Sequence, residues 1–175
     1  MNPNADGIKR SSNGVSIPRW AALILAPLAW FVAIPLAHGV VPWAISRMTR
    51  RYGWSEGPGA WNLLGVIPIG LGAALLLWVL IVGMRQIPKR ARLGLTPPVL
   101  MMTGPYTFTR NPMYVAEIAI WFGWAVFFGS IGVFAAALVL GAIVSCTVVP
   151  LEERTLERAF GQGYLEFKNR TRRWL

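Results

Sequence analysis

Residues 112–151, PMYVAEIAIWFGWAVFFGSIGVFAAALVLGAIVSCTVVPL, decide what kind of protein this is. They hold one formal charge, Glu117, and one break, Gly129-Ser130. The apolar runs on either side of that break are 17 and 21 residues long. A membrane-crossing helix needs about 20 apolar residues, and a Gly-Ser pair between two such runs makes a turn. The stretch therefore predicts a helical hairpin within a bilayer.

Working outward, two more runs of the same kind appear. Trp20–Ile45 has 26 residues without a formal charge, and Trp61–Gly83 has 23. The first is too long for the roughly 7–15 residue apolar region of a signal peptide, so it reads as a retained helix. Pro27 or Pro35 is expected to bend it. Gly65, Gly70 and Gly72 in the second allow a neighbouring helix to approach closely. The composition agrees with this reading. Hydrophobic residues make up 55%, charged residues only 14%, and the mean hydropathy is +0.50. Ordinary soluble domains carry about 25% charge. The fold class is an all-α integral membrane protein of about four transmembrane helices, the last two a hairpin, followed by a C-terminal amphipathic helix. Its divisions are a flexible tail at 1–19, two helices with a basic loop at 20–94, and a chemical region at 95–175.

The formal net charge is +10, yet the basic residues flank apolar runs and no nucleic-acid-binding signature is present. Their placement is topological. With the N-terminus inside and four crossings, 14 of the 17 Lys and Arg lie inside, and only Arg47, Arg50 and Arg51 lie outside. The positive-inside rule then puts both termini in the cytoplasm, in a plasma membrane of bacterial inner-membrane type. The single Cys, Cys146, reads as a small buried hydrophobe. The single His, His38, reads as a partner for a backbone carbonyl. One Cys and one His do not make a metal cluster.

Two polar pieces remain. Thr103–Tyr114 is a turn-rich segment in which Asn111-Pro112 reads as a helix start, with Asn as N-cap and Pro at the first position. Glu152-Glu153 follows the last apolar run, and Pro150 is expected to end that span before a surface helix carrying Leu156, Phe160 and Tyr164 at four-residue spacing. Antiparallel packing of the hairpin brings Asn111 near Glu152. Asn111, Tyr114 and Glu117 share one helix face. Arg110 is expected to pair with Glu152 or Glu153, and Glu117 to make an interhelical hydrogen bond or line a cavity. No nucleophile–base pair, phosphate loop or metal-ligand spacing is present, which favours a transfer reaction governed by positioning.

Gly104-Pro105-Tyr106, Arg110-Asn111-Pro112-Met113-Tyr114, Glu152-Glu153, Phe160-Gly161, Tyr164 and Phe167 resemble, in order and spacing, the isoprenylcysteine carboxyl methyltransferase and phospholipid methyltransferase superfamily. The resemblance covers about residues 95–174. It implies a membrane-embedded methyltransferase that uses S-adenosyl-L-methionine without a Rossmann fold. It assigns cofactor contacts to Pro98, Val99, Leu100, Met101, Tyr106, Asn111, Pro112, Met113, Tyr114 and Glu152, and leaves Arg110 and Glu153 as the catalytic candidates. Asn111 stands where the family has His, so no titrating base is expected there. Val148 stands where the prenylcysteine branch has an Arg for the substrate carboxylate, so that acceptor is disfavoured. A lipid amine or another small hydrophobic nucleophile, entering from the membrane lipids, fits better. The competing readings are a small four-helix transporter using Glu117 and a non-catalytic membrane scaffold.

Overall fold

The structure, a computed structural model, describes residues 16–87, 90–92 and 99–175. The strand β1 (Ser16–Pro18) leads directly into helix α1 (Arg19–Met48), and α2 (Ala60–Arg85) follows an ordered loop. β2 (Arg90–Arg92) pairs antiparallel with β1, with Ile17 opposite Ala91. Then come α3 (Pro112–Phe128), α4 (Ile131–Phe160) and α5 (Gln162–Arg170). The chain is an all-α membrane protein with one miniature β pair. The part of the expected tail at 1–15 lies outside the described residues.

Helices α1, α2 and α4 are long and apolar enough to cross a membrane, and α3 is a shorter apolar helix. Large side chains cover their outer faces without burial, among them Leu71 at 67% and Ile131 at 68% exposed. In water such a surface would be costly; facing lipid tails it is not. The buried interior is small and centred on α3, where Ala116 and Ile120 pack with Leu76, and Trp121 and Ala125 pack with Val133 and Ala137.

Small residues set the closest helix pair, α2 against α3. A Cβ on Gly65 would run into the backbone of Gly123 and Phe127, and one on Gly123 would meet Gly65 and Ile69. A Cβ on Gly72 would sit 2.7 Å from the Ala116 carbonyl oxygen. Gly70, by contrast, meets nothing within 4 Å and faces outward. Two of the three glycines expected to serve packing therefore do so.

The two longest helices share a local device. α1 contains a π-helical turn at Leu36–Val40 and α4 one at Val144–Val148, and each is followed at once by Val-Pro (Val41-Pro42, Val149-Pro150). A proline inside a helix lacks the N–H that would bond the carbonyl four residues back, and its ring collides with that carbonyl. The widened π turn moves the carbonyl aside, and Val41 and Val149 instead donate to Leu36 and Val144, five residues back. Pro150 consequently does not end the fourth span. The expected boundary is absent, and the helix runs on from Ile131 to Phe160. The carbonyl freed before Pro42 belongs to His38, and it accepts the Trp124 indole N–H of α3 at 2.5 Å.

At the end away from the β pair, the hairpin turn is closed by Gly129 in the left-handed conformation (φ 57°), as expected for that position. The last carbonyls of α3 need partners once the helix stops. Asn62, fully buried, donates to Val126 and Tyr52, and the Trp54 indole donates to Phe127. Arg51 lies between the rings of Trp54 and Phe128, about 5 Å from each centroid, at 4.9 and 5.0 Å.

The glycine geometry makes a prediction. In a helix interior Gly→Ala gains about 1 kcal/mol of intrinsic propensity, whereas overpacking costs about 1–3 kcal/mol. Gly123→Ala should lower the thermal unfolding midpoint of purified protein, and Gly70→Ala should leave it unchanged or raise it. Equal midpoints in the two variants would contradict the close α2–α3 contact.

Candidate active site

Helix length creates the site. α3 begins at Pro112 and has 17 residues, so it spans about 25 Å, somewhat less than the roughly 30 Å of a hydrocarbon core. Its far end is level with the end of α1, because Thr49 and Ser130 hydroxyls are 2.6 Å apart and Tyr52 N–H donates to Gly129. The Pro112 end is therefore recessed, while the 30-residue α4 continues past it by about 20 Å. The segment 99–111 and α5 fold over this recess.

Three links hold that cover in place. Gly104, at φ 62°, makes the turn that seats the short 3₁₀ turn Gly104–Thr107 against Trp78 and Val82 of α2. The C-terminal strand-like residues lie along the loop before α3. There Arg110 N–H donates to Arg172, and the Thr109 hydroxyl and the Asn111 amide both donate to the Arg173 carbonyl, at 2.9 and 3.0 Å. Asn111 thus occupies the N-cap position, but its side chain makes no capping bond; it fastens the C-terminus instead. The third link is Glu153. Its carboxylate is buried and accepts a two-pronged bond from Arg173 at 3.1 and 2.7 Å. Arg110 lies at 3.2 Å and Lys168 at 3.8 Å.

Beneath the cover is a cavity of about 220 Å³. Val99, Leu100 and Met101 form one wall, Leu156, Tyr164 and Phe167 another, and Tyr106, Arg110, Asn111, Glu152 and Glu153 supply the polar lining. Ligand pockets that enclose a small molecule run to about 300–1,000 Å³, so a nucleoside-sized ligand would extend through the mouth. Glu152 is exposed and accepts from the Tyr114 hydroxyl at 3.0 Å. Tyr114 and Glu152 belong to the two helices of the hairpin, so the expected meeting of its two polar ends occurs.

The two glutamates have different places. Glu153 is held by three cations, whereas Glu152 keeps one oxygen on Tyr114 and faces the cavity. Arg110 has the converse arrangement. One nitrogen meets Glu153, while Nε and Nη1 are buried with no hydrogen-bond partner among the described residues. Burial and the nearby Glu152 push the Tyr106 phenol up to about 12; burial and Glu153 push Tyr164 up to about 12. Donating to the Glu153 carboxylate raises the Arg173 guanidinium pKa above its ordinary value.

Of the cofactor contacts expected from sequence, Val99, Leu100, Met101, Tyr106, Asn111 and Glu152 line the cavity, and Tyr114 stands behind Glu152. Pro112 is fully buried and Met113 packs on the Leu76–Ala116–Ile120 cluster, so neither lines it. Pro98 lies outside the described residues. Leu156, expected on a surface stripe with Phe160 and Tyr164, is cavity wall, because the helix it belongs to is the continuation of α4. Two further readings need correction. Cys146 is exposed at the π turn of α4, and the His38 side chain faces Glu117, with Nε2 3.8 Å from Oε2.

The raised phenols fix a pH effect. A group whose folded value lies above its unfolded one contributes stability fully below about pH 10, and that contribution is lost as pH rises towards 12. In a phenolate absorbance titration, Tyr106→Phe should reduce the amplitude of the change near pH 12 by about half and leave the part that Tyr164 contributes. Glu153→Gln should lower stability by about 3 kcal/mol, since it leaves the buried Arg110 guanidinium without its carboxylate, while Arg173 and Lys168 are open enough to be solvated; unchanged denaturant midpoints would contradict the network.

A family profile described as phospholipid methyltransferase matches residues 62–163, more than half of the chain. No curated protein and no solved structure matches.

Proposed function

The chain belongs to the phospholipid methyltransferase family, and from that premise we propose that it transfers a methyl group from S-adenosyl-L-methionine to a lipophilic acceptor at the membrane. The observation that carries the reading is the cavity itself. It gathers Tyr106, Arg110, Asn111 and Glu152 from segments more than forty residues apart, at the recessed end of a membrane hairpin.

The residues fit this cofactor by their chemistry. Arg110 has two unspent donors in the cavity wall, which suit the cofactor's carboxylate. Glu152 suits its ammonium or ribose hydroxyls, and the bond from Tyr114 holds that carboxylate in one orientation. Val99, Leu100, Met101 and Leu156 keep water from the apolar part of the ligand. The cofactor supplies a methyl carbon already activated on a sulfonium sulfur. What the protein must add is alignment of the acceptor, and no nucleophilic side chain is needed. Glu153 acts at one remove, by fixing Arg110 and the C-terminal cover.

The recessed cavity suits a ligand from water and a partner from lipid. Charge placement supports a cytoplasmic opening, in a bacterial-type inner membrane, because the loop and C-terminal segment around it are the basic ones. Val148 offers no charge for a carboxylate, which supports a lipid amine or another small hydrophobic nucleophile over a prenylcysteine.

Two measurements test this. Calorimetry should detect S-adenosylmethionine binding to the purified protein. Tyr114→Phe and Glu152→Ala should each weaken it about tenfold or more, roughly 1.4 kcal/mol; unchanged affinity in both would overturn the site. Incubation with methyl-labelled cofactor and a total lipid extract should yield a labelled lipid, and turnover would exclude a scaffold role.

A further inference from the structure

One polar pair lies outside the cavity and serves no purpose in the fold described so far. Glu117 is on α3, one turn (three positions, about 4.5 Å) deeper in the membrane than Tyr114. Among the described residues its one ion-pair partner is His38 of α1, 3.8 Å away, and it takes no hydrogen bond. The side chains are 11% and 15% exposed, and His38 Nδ1 is buried without a partner among the described residues. Polar groups at such depth are costly unless satisfied or in use.

An interhelical lock would have these atoms at about 2.7–3.2 Å with their donors spent. The lock between α1 and α3 is made elsewhere, by Trp124 on the His38 carbonyl at 2.5 Å. That bond leaves the imidazole to be aimed by the π turn around it. Beside the pair, an apolar groove of about 200 Å³ runs between α1 and α2 over Ile120. Its lining includes Ile34, one turn from His38, and Ile120, one turn from Glu117.

We propose that Glu117 and His38 form the acceptor end of the site, and that the groove holds the acceptor's hydrocarbon chain. This rests on the methyltransferase reading and sharpens it. A carboxyl–imidazole pair recognises a protonated amine and repels a carboxylate. An ammonium has no lone pair, so it first gives one proton to the Glu117–His38 pair. The freed nitrogen lone pair then forms the N–C bond as the C–S bond breaks and its electrons stay on sulfur. The positive charge passes from sulfur to nitrogen. Tyr114, one turn above, joins this end to the Glu152 end.

The test uses full-length protein, methyl-labelled S-adenosylmethionine and total lipid extract. The labelled product should be a base-stable N-methyl lipid. Glu117→Gln should lower its rate about a hundredfold and His38→Gln about tenfold. S-adenosylhomocysteine affinity should stay within about twofold of wild type in both, which also shows that the variants fold. A base-labile methyl ester, unchanged rates, or loss of S-adenosylhomocysteine binding in Glu117→Gln would each overturn the assignment alone. A wild type that neither binds the cofactor nor transfers would overturn the functional reading beneath it.

Discussion

The buried carboxylate of Glu153 is the contact on which the site depends. Taking a charge out of water costs several kcal/mol, and the cost is offset only by good geometry and paired charges. Here the two-pronged Arg173 bond and the Arg110 contact provide both. Each cation comes from a different part of the chain: Arg110 from the loop before α3, Lys168 from α5 and Arg173 from the C-terminal segment. One carboxylate on α4 therefore gathers everything that roofs the cavity. The same contact takes one nitrogen of Arg110, and the other two have no hydrogen-bond partner among the described residues.

A second constraint acts deeper in the membrane, where every backbone group must find a partner without water. The two Val-Pro steps violate ordinary helix bonding, and each is absorbed by a π turn. At the first, the orphan carbonyl is captured by Trp124, which ties α1 to α3. A local defect thereby becomes a tertiary link, and it presents His38 to Glu117. At the second, the helix passes through Pro150 and carries Glu152, Glu153 and Leu156 on one rigid rod.

On the proposed reading the site has two levels along one face of α3. Asn111 and Tyr114 belong to the upper level with Glu152, where the polar cavity opens under the basic cover. Glu117 belongs to the lower level with His38, beside an apolar groove. That order matches a reaction between a polar cofactor and a lipid, each in the medium it prefers.

Hydropathy along the chain is enough for the membrane class, Asn111-Pro112 for the start of α3, Gly129-Ser130 for the turn, and these together for the hairpin that brings Tyr114 to Glu152. These are local or near-local properties, set by apolar run length and by residues with few conformational choices. The order of motifs likewise pointed to Tyr106, Asn111 and Glu152, which the cavity brings together. Which partner each polar group takes was not legible. Asn111 bonds the Arg173 carbonyl rather than its own helix, Glu153 and Glu152 divide two roles between adjacent residues, and His38 meets Glu117 across 79 positions of sequence. Pro150 reads from sequence as the end of a span, yet the helix passes through it, because a π turn gives the backbone another partner. Only the tertiary structure decides such questions, because hydrogen bonds and ion pairs are satisfied by whatever packing brings within about 3–4 Å, and no periodicity encodes that distance.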